Sequence, residues 1–235
     1  MKVPKKIDDK IKNSVIQIQF DSDLPSGTIL GYFHEIFKNE IQFTRSKSPI
    51  IVDGKIIGIE ESNPIMISSD KNFNISLNDN SVTFDIVDGY KGWDTYLSNI
   101  KKYFSPLFEK NIIHRISQIG MRYINNYENI LIYDKINAQI NLDFVQGSQR
   151  GLSRFEFQKD DNFIVLNLVN GNAVINVDNN SKKLESVIDI DVINQNIILS
   201  VEDLLSTINQ MHDTEKSVFF SLMTTEFLST LNPLY

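Results

Sequence analysis

The chain of 235 residues has 41% hydrophobic and 23% charged residues, no cysteine, and a formal net charge of −7. A chain of this length can bury a core large enough to fold without disulfide bonds, and the lack of cysteine excludes thiolate zinc sites and cysteine nucleophiles. An isoelectric point near 5.0 suits a phosphate backbone poorly, so we do not expect duplex nucleic acid as the main ligand.

The first half of the chain is predicted to form a strand, a helix, a meander and a second helix. After a strand signal at residues 15–20, apolar residues at helical spacing predict a helix over residues 26–38. Short β segments separated by Pro, Gly, Asn and Asp then predict an antiparallel meander over residues 41–87. The segment from Trp93 to Phe108 carries an aromatic stripe at helical spacing, and Pro106 must kink or end that helix.

The second half is predicted to repeat this plan. A β stretch over residues 112–124 opens it, and strand-like segments follow at residues 138–144, 152–157, 163–169, 173–177 and 187–193. Asn170-Gly171 lies between two of these segments and is typical of a type I′ hairpin turn. Ser200 and Asp203 resemble a capping box that opens a long helix, and a last short helix is expected over residues 225–231.

This order predicts an α+β fold of two similar halves, each an antiparallel β meander with a long helix packed on the sheet. The first half covers residues 13–110 and the second half covers residues 111–235. Because no linker rich in Gly, Ser or Pro separates the halves, we expect residues 1–235 to form a single globular unit.

The arginines are the most informative polar residues, since four of the five lie at Arg115, Arg122, Arg150 and Arg154. Spacing alone does not show whether these four side chains meet in space. Arg150 and Arg154 are four residues apart and would share one face of a strand. Arginine presents a rigid fork of donors that suits carboxylates and phosphates.

One face of the predicted strand 112–124 combines three polar side chains around a glycine that leaves room for an approaching group, namely His114, Gln118 and Arg122 around Gly120. This arrangement predicts a pocket for an anion or an amide. The alternative is that these side chains bond acidic neighbours across the strands, such as Asp143 and Glu156.

Motifs for other chemistry are weak. The three histidines are too few and too scattered for a spacing-defined metal site, and His212 lies on an apolar stripe, where a buried imidazole is the commoner reading. No nucleophile elbow or glycine-rich phosphate loop is found. Three acidic pairs suit general acid–base catalysis, and each has a structural alternative. Asp160-Asp161 equally suits a turn, Asp189 with Asp191 a solvent-facing strand edge, and Glu202-Asp203 a helix N-terminus. We predict no catalytic residue, metal or cofactor, and favour a protein without enzymatic activity.

Two helices leave alternatives open. The aromatic stripe of residues 93–108 either packs as core or lines an apolar cavity between helix and sheet. In the long C-terminal helix, predicted over residues 201–223, Glu215 interrupts the apolar stripe. That break indicates either a solvent edge or a contact to another chain.

The segment from Arg115 to Asn125 resembles the central R-I-G-L-R-Y-I-N signature of a sporadically distributed family of bacterial proteins of unknown function. The start of the chain, Val15–Phe20 followed by Leu24-Pro25, is similar to the family's V-x-E-I-R-F-x-x-x-L-P opening. The C-terminal part is similar to the family's L-H, F and I-T-x-E-L pattern, at Met211-His212, Val218-Phe219 and Thr224–Leu228. The resemblance spans nearly the whole chain, and its central motif is the specific part.

The chain departs from this signature at Ser117-Gln118, two residues that the compact motif lacks. Arg122, Tyr123 and Asn125 match the motif directly. The resemblance implies no known reaction. The family's patchy distribution implies a place in accessory or defence gene clusters.

The predicted function is therefore that of a cytoplasmic interaction or regulatory subunit that works with a genetically linked protein partner or as a homo-oligomer. The alternative is a module that binds an apolar or anionic small molecule, and a metal-dependent nuclease or phosphoryl-transfer enzyme is a third hypothesis. Eight residues are predicted to bind a ligand, namely Arg122, Tyr123, Asn125, His114, Gln118, Arg150, Arg154 and His212. Residues 1–9 lack a signal-peptide core and no apolar run could cross a bilayer, so we expect neither export nor membrane association.

Overall fold

The computed structural model describes most of the chain, namely residues 3–8, 10–44, 47–52, 55–61, 65–68, 73–78, 80–87, 89–138, 150–176 and 181–235. Asp143 and all but the first residue of the predicted strand 138–144 lie outside the described residues. The chain divides into two compact units. The first unit is Val15–Gly120 with Gln195–Ser206, and the second is Met1–Ser14, Met121–Asn194 and Thr207–Tyr235.

The first unit is built from strands, two whole helices and the start of a third, residues 201–206. Its elements are β1 (Ile11–Asp21, of which it holds the larger part), α1 (Ser26–Phe37), β2 (Ile41–Thr44), β3 (Lys47–Val52), β4 (Lys55–Glu61), β5 (Ile65–Ser68), β6 (Asn74–Asn78), β7 (Ser81–Val87), α2 (Trp93–Glu109) and the start of β8 (Arg115–Glu128). The hydrogen-bonded order is β2-β5-β6-β7-β1-β8, and β3 pairs with β4 separately. The registers of β2–β5, β5–β6 and β6–β7 are antiparallel. A simple meander over residues 41–87 is not confirmed, because β2 pairs with β5 and not with β3.

Local periodicity explains the first helix. Its buried residues are Ile29, Phe33 and Phe37, which lie four residues apart and therefore on one face. The predicted helix over residues 26–38 is confirmed.

The aromatic stripe of α2 packs as core. Tyr96, Tyr103 and Phe104 are buried, and the Tyr96 hydroxyl donates a 2.8 Å hydrogen bond to the carbonyl of Phe84. The rings of Phe73 and Tyr103 stack with their centroids 5.7 Å apart. Beside Phe73 and Tyr96 there is a cavity of about 10 Å³, which has room for about one water molecule. The core reading of this stripe is therefore correct, and the helix continues through Pro106.

The second unit is built around three long strands. Its elements are the remainder of β1 and β8, a short 3-10 turn (Ile132–Lys135), β9 (Gly151–Lys159), β10 (Asn162–Asn176), β11 (Ser181–Asn194), most of α3 (Val201–Leu222) and α4 (Thr225–Ser229). The hydrogen-bonded order is β1-β8-β11-β10-β9, with β9 at its end. Both β9–β10 and β10–β11 are antiparallel.

The hairpin predicted at Asn170-Gly171 is wrong. These residues lie within β10, where the register with β11 shifts between Val169 and Asn172. Gly171 has a φ of +66°, and its N–H donates a 2.9 Å hydrogen bond to the Ser186 hydroxyl. A positive φ suits a β-bulge as well as a tight turn, so the dipeptide signal is ambiguous. The turn between β9 and β10 is instead Asp160-Asp161, which confirms the turn reading of that acidic pair.

The long C-terminal helix begins as predicted. Ser200 accepts a 3.1 Å hydrogen bond from the Asp203 backbone N–H, and its hydroxyl donates to the Asp203 carboxylate. This contact satisfies one of the free N–H groups in the first turn of α3. The α+β class and the antiparallel sheet are confirmed. Among the helices that the structure describes, none has the length and apolar character needed to cross a membrane.

Candidate functional site

The strand β8 carries four of the eight predicted ligand-binding residues, and its side chains alternate between buried and more exposed positions over most of its length. From Ile119 onward, alternate residues are buried, among them Tyr123 and Asn125, while Arg122 is exposed. Ile116 is buried as well, so the alternation changes at Ser117-Gln118. These are the two residues that the resembling motif lacks. The strict alternation that predicts one shared face for His114, Gln118 and Arg122 is therefore wrong across this step, because a period of two fails there.

A row of polar side chains crosses β8, β11, β10 and β9. Arg122 binds Asp189 with two hydrogen bonds, Nε to Oδ1 and Nη2 to Oδ2, both 2.8 Å. Asn167, opposite Asp189 in the register, donates its Nδ2 to Asp189 Oδ2 at 3.1 Å. Arg154 lies opposite Asn167, donates Nη1 to its Oδ1 at 3.3 Å, and donates Nε to Glu156 Oε1 at 2.7 Å. We call these five residues the polar row.

The polar row corrects two sequence predictions. Of the two alternatives for Asp189, an acid–base group or a solvent-facing strand edge, the second is wrong, because Asp189 is only 6% exposed and accepts hydrogen bonds from Arg122 and Asn167. Glu156 was offered as a partner for the arginine face, and in the structure it bonds Arg154. Of the four clustered arginines, the row brings together Arg122 and Arg154.

The charges in this row are coupled. Hydrogen bonding to Asp189 raises the pKa of Arg122, and burial raises the pKa of the neighbouring Asp191. Two of the five guanidinium N–H groups of Arg122 are used by Asp189, and the side chain is about half exposed. The row therefore holds a rigid, hydrogen-bonded stripe of charge on the surface of the second unit.

The buried side of β8 meets α3 at His212, and α3 carries a second buried titratable side chain, Glu215. The ring of Tyr123 lies with its centroid 6.2 Å from that of His212, and burial lowers the pKa of His212 to about 4. Glu215, one turn further along α3, is only 5% exposed, and burial raises its pKa to about 8. At neutral pH both groups are therefore predominantly uncharged.

The burial of Glu215 contradicts both readings of the break in the stripe, which were a solvent edge or a contact to another chain. Glu215 follows Met211 by four residues and continues the buried face of α3. The four-residue spacing from Met211 indicates this buried position, but an acidic residue interrupts the apolar pattern from which a buried face is predicted.

The remaining predicted ligand-binding residues lie apart from the polar row. In the first unit, His114 Nε2 is 3.1 Å from Asp23 Oδ2, and Gln195 donates to Gln118 at 2.9 Å. Arg115 bonds Asp21 in the same unit. In the second unit, the exposed side chain of Arg150 lies beside Gly171.

A cleft of about 480 Å³ in the first unit is also lined by His114. Its walls combine Lys101 with Glu109 and Glu202, and they include Phe108 from the end of α2. Charges of both signs meet there, so the cleft does not select a ligand by charge.

Sequence reasoning missed a set of exposed apolar side chains on β9 and the start of β10. Leu152 is 70% exposed and Phe155 is 41% exposed, and Phe157 and Phe163 are also exposed. Because side chains alternate along a strand, Leu152 lies on the side of Arg154, and the first two phenylalanines lie on the opposite side. We call Leu152, Phe155, Phe157 and Phe163 the β9 surface. The alternation of phenylalanine with Arg154 and Glu156 was the available signal.

The comparisons with known proteins do not assign the chain to a family. No family model matches the chain, and the search of curated proteins finds no match. Within the described ranges, no three His, Asp or Glu side chains come together in a way that could hold a metal ion.

Proposed function

We propose that this chain is a cytoplasmic, non-enzymatic interaction or regulatory subunit that binds a genetically linked protein partner through the β9 surface. The observation that carries the proposal is the exposure of four large apolar side chains on the last strand of the hydrogen-bonded order and its neighbour. Phe155 and Phe157 lie two residues apart on one side of β9, and neighbouring exposed apolar side chains mark interaction sites more often than scattered single residues do.

The composition of this surface supports a protein as the occupant. Phenylalanine and arginine are enriched at protein interfaces, and here Phe155 and Phe157 alternate with Arg154 on one strand. Leu152 lies on the same side of β9 as Arg154 and Glu156, so polar side chains of the row neighbour it there, whereas Phe155 and Phe157 lie on the opposite side of the strand. The side chains of the polar row are already hydrogen-bonded to one another. A partner would therefore bind them without the entropic cost of ordering them.

The family that the central motif resembles supports a partner encoded in the same accessory or defence gene cluster. That resemblance also favours a role beside another protein, because it implies no reaction of its own. We expect the partner in the cytoplasm together with this chain.

The test is purification of the tagged full chain from its native host, with mass spectrometry of bound proteins. A double variant, Leu152→Ser with Phe155→Ser, should lose at least about tenfold of the captured partner, since each residue would be a buried anchor. The matched control is Tyr32→Ser on α1, because Tyr32 is 41% exposed, as is Phe155. All variants should show unchanged circular dichroism.

A stoichiometric partner encoded beside this gene and lost only from the β9 variant would support the proposal. Equal capture by the β9 variant and the control would contradict it. Specific turnover of a substrate by the purified chain would contradict the non-enzymatic part.

A further inference from the structure

The strand β9 ends the hydrogen-bonded order of the second unit, with β10 as its neighbour on one side. Among the strands that the structure describes, no other pairs with β9, so alternate residues direct their backbone N–H and C=O groups away from the sheet. Folded proteins commonly protect such an edge with proline, lysine or a bulge. The nine residues of β9 include no proline, their one lysine is the last residue, and the register with β10 is unbroken. This edge is therefore able to accept another strand.

Two rows of apolar side chains run across the strands and end on β9. In one row Ile190 lies opposite Leu166 and both are buried, whereas Phe155, opposite Leu166 on the other side, is exposed. The neighbouring row ends in the same way, with the exposed Phe157 opposite the buried Ile164. A further strand beside β9 would continue both rows and remove apolar surface from water, which favours association.

The sequence of β9 is complementary to itself in the antiparallel direction. The strand runs from Gly151 to Lys159, so its midpoint is Phe155. When two copies pair over the full length of the strand, Phe155 lies opposite its own counterpart. Arg154 then lies opposite Glu156 on both sides of the midpoint, and opposite charges at such positions stabilise a strand pair. Lys159 lies opposite Gly151, so no like charges oppose each other.

The charges also select this register over its neighbours. Sliding one copy by two residues in one direction would place Arg154 opposite its own counterpart, and sliding it in the other direction would do the same for Glu156. Like charges directly opposite each other are unfavourable. Within one copy Arg154 donates to Glu156 at 2.7 Å, so pairing about Phe155 brings two such ion pairs together with alternating charges.

We propose that this chain forms a two-fold symmetric dimer through the edge of β9, with the two strands paired antiparallel about Phe155. The interface is isologous, so the same strand serves both copies. The inference goes beyond the interaction function and does not rest on it. Because the pairing uses the backbone edge of β9, the two sides of the strand stay accessible to a partner protein.

Sedimentation velocity of the purified full chain, over a series of concentrations, measures the oligomeric state. At about 100 µM the chain should be mainly dimeric, since an edge pairing of this length belongs to the smaller and weaker class of interfaces. Arg154→Glu and Glu156→Arg should each raise the dissociation constant about tenfold or more, because each opposes like charges at two positions. The matched control is Lys38→Glu, which reverses an exposed charge outside β9 and should leave the dimer intact.

Two rescue experiments separate pairing in this register from a loss of structure. The double variant, Arg154→Glu with Glu156→Arg, restores the opposite charges and should dimerise as the wild type does. An equimolar mixture of the two single variants should form a one-to-one heterodimer, identified by native mass spectrometry, because positions 154 and 156 then meet their opposites. Mixing would not rescue a variant that fails to fold.

A wild-type chain that stays monomeric would overturn the proposal. So would a dimer that neither single variant weakens, or a mixture of the single variants that stays monomeric. Failure here is distinguishable from failure of the interaction function. A monomeric chain that still captures a protein through the β9 surface would overturn the dimer alone, and a dimer that captures no protein would overturn the interaction function alone.

Discussion

Arg122 and Asp189 form a bidentate ion pair between two strands, with both hydrogen bonds 2.8 Å long. The carboxylate is almost fully buried, whereas the guanidinium is about half exposed. Because a buried carboxylate needs donors, Asp189 takes up two of the guanidinium N–H groups of Arg122. The ligand-binding role that the sequence predicts for Arg122 stays a prediction, and its pairing with Asp189 gives it a contact across the sheet as well.

We expect Arg122→Met to lower the free energy of unfolding by about 2 kcal/mol, because it removes two charged hydrogen bonds and leaves Asp189 short of donors. Adding Asp189→Leu should recover at least half of that loss, since the buried charge is then gone. Urea unfolding of the two single variants and the double variant measures the coupling between the residues. A double variant whose loss equals the sum of the single losses would contradict the pair's role.

Glu215 should make the protein less stable as the pH rises. Its pKa is about 8 in the fold and 4.5 as an ordinary carboxyl, so between these values the folded state holds a proton that the unfolded state has lost. The free energy of unfolding then falls with rising pH by at most about 1.4 kcal/mol per pH unit. Glu215→Gln should remove this fall and be more stable than the wild type near pH 8. Urea unfolding at several pH values, with Glu226→Gln as the control, tests this expectation, and identical profiles would refute it.

His212 should act in the opposite direction. Its pKa is about 4 in the fold and 6.5 in an unfolded chain, so stability falls as the pH drops through that window, where the unfolded state takes up a proton. Between about pH 4.5 and 6.5 the effects of His212 and Glu215 cancel. Removing one group should therefore expose the slope of the other. The measurement is the unfolding of His212→Gln from pH 4 to 7. Its free energy of unfolding should rise as the pH drops from 6.5 to 4.5, where the two effects cancel in the wild type, and a profile identical to that of the wild type would argue against a buried neutral imidazole.

Two glycines should respond to alanine with opposite signs. Gly171 has a φ of +66°, and an added Cβ would lie 2.6 Å from Leu131 Cδ2, so Gly171→Ala should cost about 1–3 kcal/mol. Gly31 lies inside α1 with nothing within 4 Å of an added Cβ, so Gly31→Ala should stabilise the fold by about 0.5–1 kcal/mol. Thermal melting of both variants tests this pair, and a stabilising Gly171→Ala would show that β10 tolerates a side chain at its bulge.

Local patterns predicted the elements whose causes are local. The face of α1 and the cap at Ser200 depend on residues within a few positions of each other, so spacing along the chain was sufficient. The same holds for α2, because an aromatic stripe at helical spacing packs as core far more often than it lines a cavity. The plan of two similar halves and the family resemblance stay predictions.

Long-range pairing accounts for what was missed. Asp189 looked solvent-facing because its partner, Arg122, is 67 residues away. Asn170-Gly171 looked like a turn because the same backbone conformation serves a bulge. In each case the deciding neighbour lies on another strand, and the amino-acid sequence does not carry the register.

By itself the sequence determined the α+β class, the starts of the helices, and the residue types available for a site. These follow from periodicity, capping and composition, which act over short stretches of chain. Only the tertiary structure decided that Arg122 is paired with Asp189, that Glu215 is buried and that phenylalanines on β9 are exposed. The physical reason is that burial and pairing depend on which strands and helices meet, and that choice is made by the whole chain when it folds.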